Sequence, residues 1–434
     1  MTQQIERDTL NSVRPHLPYT ELSGFEVLTD DERAIQQAMH AFARDVMRPT
    51  GIAIDKLTAE QAIAPSSPYW EFMATAAASG IEFDTADDDV APQAMARLQS
   101  IVIEEFGWGD IGLTVSLAAA SFPNMMAKRI GNQELVELTA GKIGAWVATQ
   151  PDRGSDGTML YPGERHAKAA TGNKGNLTAR IAGGDIVING QSSAWVSNGA
   201  VAQVAILTIV ADYGDGFFDV DGHPHGVEVI VPLDLPGVTH GKPLEKLGQR
   251  SLPQGELFFD NVKVPVRYAI SLGDEYWHGH ASTWSTAGVA MGQMITGLAR
   301  AALEHAVAYT HERSQGGALL AEHQMVQSRL GAMARKVETM RALARRAAEY
   351  TLLSPAKHPY YTGSTKVTCT DLGFEVADEA LQLFGGYGLT REYPMEKLFR
   401  DARAARIEDG ENHLLNMKFG YLTSMMYRSA RHGA

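Results

Sequence analysis

Near the C-terminal end of the chain a carboxylate pair stands beside a glycine, in Glu408-Asp409-Gly410-Glu411. Asn412 and a second apolar run (Leu414, Leu415, Met417) follow. Glycine breaks the helical pattern there, so a carboxylate can be aimed into a cleft without its own helix in the way. Such a group can act as a general base once burial has brought its pKa toward working pH. The plain alternative for Asp409 is an N-cap for the helix that begins near Asn412. Upstream, Gly385, Gly386 and Gly388 close an earlier apolar run, where the backbone can turn sharply and approach a ligand. Arg391, Arg400, Arg403 and Arg406 crowd the segment between, among Glu392, Glu396 and Asp401.

The elements that must position these groups fall into three blocks. Thr29-Asp-Asp-Glu can cap a helix whose apolar residues Ile35, Met39, Phe42, Val46 and Met47 recur at helical spacing, with Pro49-Thr-Gly51 as its end. Helical runs follow around 66–80, 92–107, 111–120 and 132–142; residues 1–25 read as an arm. From about 143 the period shortens. Trp146–Thr149 runs into a turn, and Ile181–Gln191 has the look of a hairpin. Trp195–Gly199, Ala205–Val210, Val227–Val231 and Leu257–Val264 complete the strands. After a linker at Gly273–His280 come helices over Ala287–Arg313, 322–352 and from Lys366, in which Gly288, Gly292 and Gly297 permit close contact. The expected fold is therefore α+β: an N-terminal helical domain (1–142), a central β-barrel or sandwich domain (143–268) and a C-terminal four-helix bundle (269–434).

A chain of 434 residues has room for two or three layers with sizeable cores. Its net charge of −13 speaks against nucleic acid as a partner, though not against a small anion held by a local arginine cluster. The single cysteine, Cys369, forms no internal disulfide and reads as a buried, inert thiol. The polar N-terminus has no signal-peptide core, and the longest apolar stretch, Val201–Ala211, is too short to span a bilayer. A cytoplasmic protein without a membrane partner is expected. The histidine pairs His278/His280 and His223/His225 place no third ligand, so no metal is expected. Gly386-Tyr-Gly388 lacks the third glycine and the preceding strand of a Rossmann fingerprint.

The stretch from Gln382 to Asn412 resembles the C-terminal signature of the acyl-CoA dehydrogenase superfamily. There Gln-x-x-Gly-Gly-x-Gly is followed by Glu-x-Pro-x-Glu-(Arg/Lys), Arg-Asp-Ala and Ile-Tyr-Glu-Gly-Thr. The family's catalytic glutamate aligns with Asp409 and its threonine with Glu411. Trp146-Val-Ala148-Thr149, Gly154-Ser155-Asp156 and Trp195-Val-Ser197-Asn-Gly are similar to motifs of its β domain. Glu312-Arg313 through Glu322-His323-Gln324 resembles a bundle motif. The order of helical domain, β domain and bundle is the family's too, so the likeness extends over most of the chain.

The resemblance implies FAD between the β domain and the bundle, with Trp146, Ala148, Thr149, Gly154, Ser155, Trp195, Ser197 and Glu411 around it. Arg313 offers a fork to the pyrophosphate and Gln324 an amide, while Gln382, Gly385 and Gly386 reach FAD from a neighbouring subunit. A homotetramer or at least a homodimer follows. Trp146 and Trp195 could instead be core aromatics. The implied reaction is α,β-dehydrogenation of an acyl-CoA or similar thioester, with Asp409 removing the α-proton and the β-hydride going to flavin N5. An electron acceptor such as an electron-transfer flavoprotein would reoxidise it.

The chain departs from the family in several places. Aspartate is about 1.5 Å shorter in reach than glutamate. An arginine common near the CoA portion aligns at Gly288, an alternative glutamate position at Ala287, and Gly316 stands where a phenylalanine is usual. Residues 157–178, with Arg165, His166, Lys168 and Lys174, form a longer loop than usual and read as a solvated insertion. Aspartate at this place also resembles nitroalkane oxidase, a flavin oxidase of the same superfamily, through Asp-Gly-x-Asn at Asp409–Asn412. That enzyme's arginine seven residues on is Asn416 here, which ranks a flavin oxidase or monooxygenase second. A non-catalytic flavoprotein of the DNA-protecting branch is disfavoured by the acidic charge.

Overall fold

In a computed structural model, residues 28–80, 90–156, 173–220, 222–273, 275–354 and 359–432 are described. The expected arm and most of the 157–178 loop, with Arg165, His166 and Lys168, lie outside them. Helix α1 (Asp30–Phe42) opens on a reciprocal cap. The Thr29 hydroxyl accepts from Glu32 N–H (3.2 Å) and the Glu32 carboxylate from Thr29 N–H (2.8 Å). Pro49 does not end this helix. A π turn, Ala43–Met47, carries it into α2 (Arg48–Asp55), and Arg48 N–H there reaches back five residues to Ala43 O. The hydrogen-bond ladder is thus already reset where proline brings no donor. Gly51 serves packing instead: a Cβ there would lie 2.0 Å from Asp110 Oδ2.

Short helices α3 (Ala59–Ile63) and α4 (Pro68–Ala78) lead to the paired α5 (Pro92–Gly109) and α6 (Ile111–Arg129), then α7 (Gln133–Thr139). The sheet follows: β1 (Gly144–Val147), β2 (Thr178–Ala182), β3 (Asp185–Gln191), β4 (Val204–Asp212), β5 (Gly226–Pro232), β6 (Val238–His240), β7 (Leu257–Pro265) and β8 (Ala269–Leu272). The order is β6-β7-β3-β2-β4-β5-β8, with β1 parallel to the first half of β4. Gly183 and Gly184, at φ +60° and +89°, turn the β2–β3 hairpin that the sequence predicts.

Alternate residues of these strands, among them Val147, Ile188, Leu207, Val229 and Phe259, close on one core, so the sheet curls around itself. The opposite face of β4 and β5 (Val204, Ile206, Ile230) packs on Met126, Ala127 and Leu135 of α6 and α7. Burial on both faces explains why β4 reads as an unbroken apolar run. The last strand, β8, runs four residues past the expected limit of 268. Trp195–Gly199 is a turn rather than a strand. Asn198 takes φ +60° there, and its amide donates to Ser116 O (2.8 Å) and Gly144 O (3.1 Å), which ties the turn to α6 and to the start of β1.

The expected linker at Gly273–His280 is mostly helix. Helix α8 runs for 38 residues, Glu275–Glu312, and a two-stranded ribbon, β9 (Ser314–Gln315) and β10 (Ala318–Leu319), joins it to α9 (Gln324–Leu353). Then come α10 (Pro359–Phe384), α11 (Met395–Ala405) and α12 (Asn412–His432), which build a bundle around a core that holds Cys369 fully buried. Glycines set its spacing. A Cβ at Gly297 would lie 2.0 Å from Glu104 O, and one at Gly107 2.0 Å from Met294 O, so α5 and α8 touch backbone to backbone. Beside that crossing Arg300 is buried with Glu104 (3.0 Å) and Glu105, while Arg341 meets Glu104 (2.9 Å) and His40 meets Glu105 (2.8 Å).

Candidate active site

Asp409 lies in the turn between α11 and α12, with φ +49°, and Gly410 follows at φ +93°. Aspartate enters this left-handed region more readily than most side chains. Capping of α12 falls to another residue: Glu411 Oε2 accepts from Leu414 N–H at 3.0 Å. Among the described residues none donates a hydrogen bond to the Asp409 carboxylate, and no backbone carbonyl accepts its N–H. The residue as a whole is half-buried. Enough protein surrounds it that burial raises its pKa above the ordinary 3.8, and the nearby Lys366 cation pulls it partly back.

Lys366 went unnoticed in the sequence. It is fully buried on α10, and Nζ donates to Gly410 O (2.6 Å) and to Asn412 Oδ1 (2.7 Å). Asn412 in turn donates through Nδ2 to Thr370 Oγ1 (3.0 Å) and Asp371 Oδ1 (2.9 Å). Burial draws the Lys366 ammonium down to about 8, opposed first by the Asp409 charge. The only sequence signal was a lysine inside an apolar helical run.

The β domain reaches the same turn at two places. Ser155 Oγ accepts the Glu411 N–H at 3.0 Å, beside Gly154, whose own N–H donates to Asp156 Oδ1 (2.7 Å). Gln249 Nε2 donates to Glu408 Oε2 (2.8 Å) from the segment between β6 and β7, which also carries Lys246 and Gln254. Lys246 Nζ donates to Gln254 Oε1 (2.6 Å), and Gln254 Nε2 to Trp195 O (3.1 Å). Ser197 pairs with Gln254 in an isolated bridge. Burial lifts Glu408 to about 7 and lowers Lys246 to about 8, each offset by the other's charge. Thr149 and Ser193 share a hydroxyl contact of 2.6 Å, and Ser193 Oγ accepts from Trp195 N–H (3.2 Å).

The two tryptophans differ. Trp195 leaves 62% of its surface exposed, unusual for so large an apolar ring. Trp146 is half-buried, donates Nε1–H to Thr208 Oγ1 (3.0 Å) and packs 5.0 Å from the Trp284 ring and 5.6 Å from Phe122. Ala148 beside it is half-buried. At Gly288, a Cβ would face Thr362 O (3.5 Å) and Lys366 Cβ (3.6 Å) on α10, so that position points at a helix backbone.

The remaining predicted residues gather elsewhere. Arg313, Gln324, Gln382, Gly385 and Gly386 are all exposed where α8 and α10 end and α9 begins. Arg313 donates to Gln315 Oε1 (3.0 Å) and lies 5.7 Å from the Tyr387 ring centre. Along α10, Gln382 stands about 24 Å from Lys366 at 1.5 Å per residue. The site residues thus form two groups at opposite ends of one helix. An exposed flat ring with hydroxyls beside it at one end suits a planar, mostly apolar ligand, and an arginine with open glycines at the other suits a phosphate. At Gly385 and Gly386 an added Cβ would meet nothing within 4 Å, and at Gly154 nothing nearer than 3.9 Å.

Two family models match the chain: "Acyl-CoA dehydrogenase, middle domain" over residues 145–262 and "Acyl-CoA dehydrogenase, C-terminal domain" over 284–418. An acyl-CoA dehydrogenase of Bacillus subtilis (strain 168) is 30% identical over 65% of this chain and 70% of its own length. Benzylmalonyl-CoA dehydrogenase of Aromatoleum aromaticum is 29% identical over 90% of this chain and 97% of its own. Among solved structures, a glutaryl-CoA dehydrogenase from Mycobacterium smegmatis in complex with FADH2 superposes with a TM-score of 0.73. It is 24% identical, covering 94% of this chain and 96% of that one.

Proposed function

The chain belongs to the acyl-CoA dehydrogenase family, and from that premise we propose an FAD-dependent enzyme that desaturates an acyl-CoA or similar thioester, with Asp409 as the base. The observation that carries this reading is the state of Asp409. It is a carboxylate in the turn that resembles the family's catalytic motif, relieved of capping by Glu411, whose own N–H ties that turn to Ser155 of the β domain. Asp409 takes the α-proton of the thioester. Burial raises its pKa and makes it a stronger base than free aspartate, and the nearby Lys366 charge favours its ionised form. The Asp409 N–H donates to the thioester oxygen, which acidifies that proton. FAD, when bound, accepts the β-hydride.

In this reading Trp195, Ser197, Thr149, Gly154, Ser155 and the Glu411 turn would hold the flavin end of FAD. Ala148 and Trp146 back the slot, since Trp146 is held in an aromatic cluster. Arg313, Gln324, Gln382, Gly385 and Gly386 serve the FAD of a second copy, because the two groups of residues are too far apart for one short ligand. The assembly is then a homodimer or homotetramer in the cytoplasm, and an electron-transfer flavoprotein or a similar acceptor removes the electrons. Among the described residues no helix is long and apolar enough to cross a membrane.

Anaerobic titration of the purified flavoprotein with a panel of acyl-CoAs tests the proposal. Bleaching of the flavin absorbance by at least one of them is expected in the wild type. In Asp409→Asn the bleaching rate should fall by about 10²–10⁴-fold with flavin still bound. Retained bleaching would pass the base role to Glu408 or Glu411. Fast reoxidation of the bleached protein by air would place it among the flavin oxidases.

A further inference from the structure

The turn that carries Asp409 has a backbone problem of its own. With φ +49° at Asp409 and +93° at Gly410, the Gly410 carbonyl is directed into the protein, and Gly410 is itself buried. A buried carbonyl needs a donor. No backbone N–H among the described residues supplies one; Lys366 Nζ does, from α10, at 2.6 Å. The same ammonium donates to Asn412 Oδ1 at 2.7 Å, the first residue of α12. One side chain on α10 therefore clamps both sides of the turn, and Asn412 fastens the clamp to Thr370 and Asp371 one turn further along α10.

At Gly288 an added Cβ would come into ordinary contact with Thr362 O and Lys366 Cβ, so α8 faces α10 where the clamp begins. Thr365 and Thr370, each fully buried, turn their hydroxyls back onto Tyr361 O and Lys366 O, leaving the lysine as the cation of this helix face.

We propose that Lys366 is a positioning residue of the active site: it holds the Asp409–Gly410 turn in its left-handed form and supplies the counter-charge that keeps the base ionised. The proposal rests on Asp409 being the base. Other charged groups face the turn. Glu408, Glu411 and Asp371 act on Lys366 as well as Asp409 does. Glu408 is balanced largely by Lys246 and by the Gln249 hydrogen bond, and Asp371 by Arg406 at 2.7 Å. Glu411 accepts from α12 backbone N–H groups, and Asp401 is held by Lys397 at 2.6 Å. The cation that acts on Asp409 is Lys366.

The test is the pH profile of flavin bleaching by the best acyl-CoA, in the wild type, in Lys366→Met and in Asn412→Ala. Removing an opposite charge this near raises an aspartate pKa by about one unit or more. The acid limb of the profile for Lys366→Met should therefore move to higher pH by about that amount, and the limiting rate should drop by about tenfold or more because the turn is no longer clamped. Asn412→Ala keeps the cation and loses one anchor, so its rate should fall while its acid limb stays in place. Should Met at 366 yield insoluble protein, Lys366→Gln keeps a donor for the Gly410 carbonyl without the charge and must shift the same limb. Coincident acid limbs in wild type and the 366 variant would overturn the proposal. A second readout needs no turnover: the carboxyl ¹³C titration of Asp409, identified by difference from Asp409→Asn, should move up in the 366 variant. If no acyl-CoA bleaches the wild type, the dehydrogenase reading falls, and an unmoved ¹³C titration then refutes the lysine's role independently.

Discussion

Aspartate and asparagine both enter the left-handed region that position 409 occupies, so Asp409→Asn removes the base and leaves the turn. A second consequence concerns stability. Burial holds the Asp409 pKa above 3.8, so the folded state is penalised whenever the carboxylate is ionised. Below the free value both states are protonated and no penalty exists; it appears as pH rises through the folded pKa. Asp409→Asn should accordingly melt at a higher temperature than the wild type at pH 7–8, and the gain should vanish near pH 4. Paired melting curves across that range check it. Asp409 stood out in the sequence because an acidic residue beside glycine between helices has few ordinary jobs. Lys366 was not, because its partner is a backbone carbonyl 44 residues away, on which the sequence is silent.

Elements meet in this fold through glycine. At the crossing of α5 and α8, Gly297→Ala would place a methyl 2.0 Å from Glu104 O, a clash that only backbone movement relieves. A loss of about 1–3 kcal/mol is expected from denaturant unfolding. Gly331 on α9 is the control: nothing lies within 4 Å of its missing Cβ, so Gly331→Ala should be neutral or stabilise by about 0.5–1 kcal/mol. Helices and strands were largely readable from periodicity, including a helix cap at Thr29 or Asp30 and the Gly183-Gly184 hairpin, whereas the reciprocal bond from Glu32 was not. Pro49 within a continued helix depends on the π turn just before it, and Trp195–Gly199 as a turn depends on the Asn198 amide, whose partners Ser116 and Gly144 are distant in sequence.

Across the whole molecule, the three-block order could be read in advance, but the joint between the first and last blocks could not. Arg300, Glu104, Glu105, Arg341 and His40 each look like solvated charges on amphipathic helices; only the packing of α1, α5, α8 and α9 shows that they face one another inside. Arg300→Met would remove the cation that Glu104, Glu105 and Glu304 share inside the fold and should cost about 3–5 kcal/mol, read as a lower denaturant midpoint. Buried Glu228 and Glu304 are each lifted from 4.5 to about 7, chiefly by desolvation. For acids raised in the fold, the stability they confer is complete below 4.5 and is lost as pH climbs through about 7. Glu228→Gln should therefore gain on the wild type in melting temperature above neutral pH.

Helix α10 carries the clamp beneath Asp409 near one end and the exposed Gln382 face at the other, with no break between. It works as a ruler and a crankshaft together. One extra residue spliced into its middle would lengthen it by only about 1.5 Å, yet would rotate its far face by about 100° relative to the near one. The Asp409 turn at one end and the exposed Gln382 face at the other would then fall out of phase while each remained locally intact.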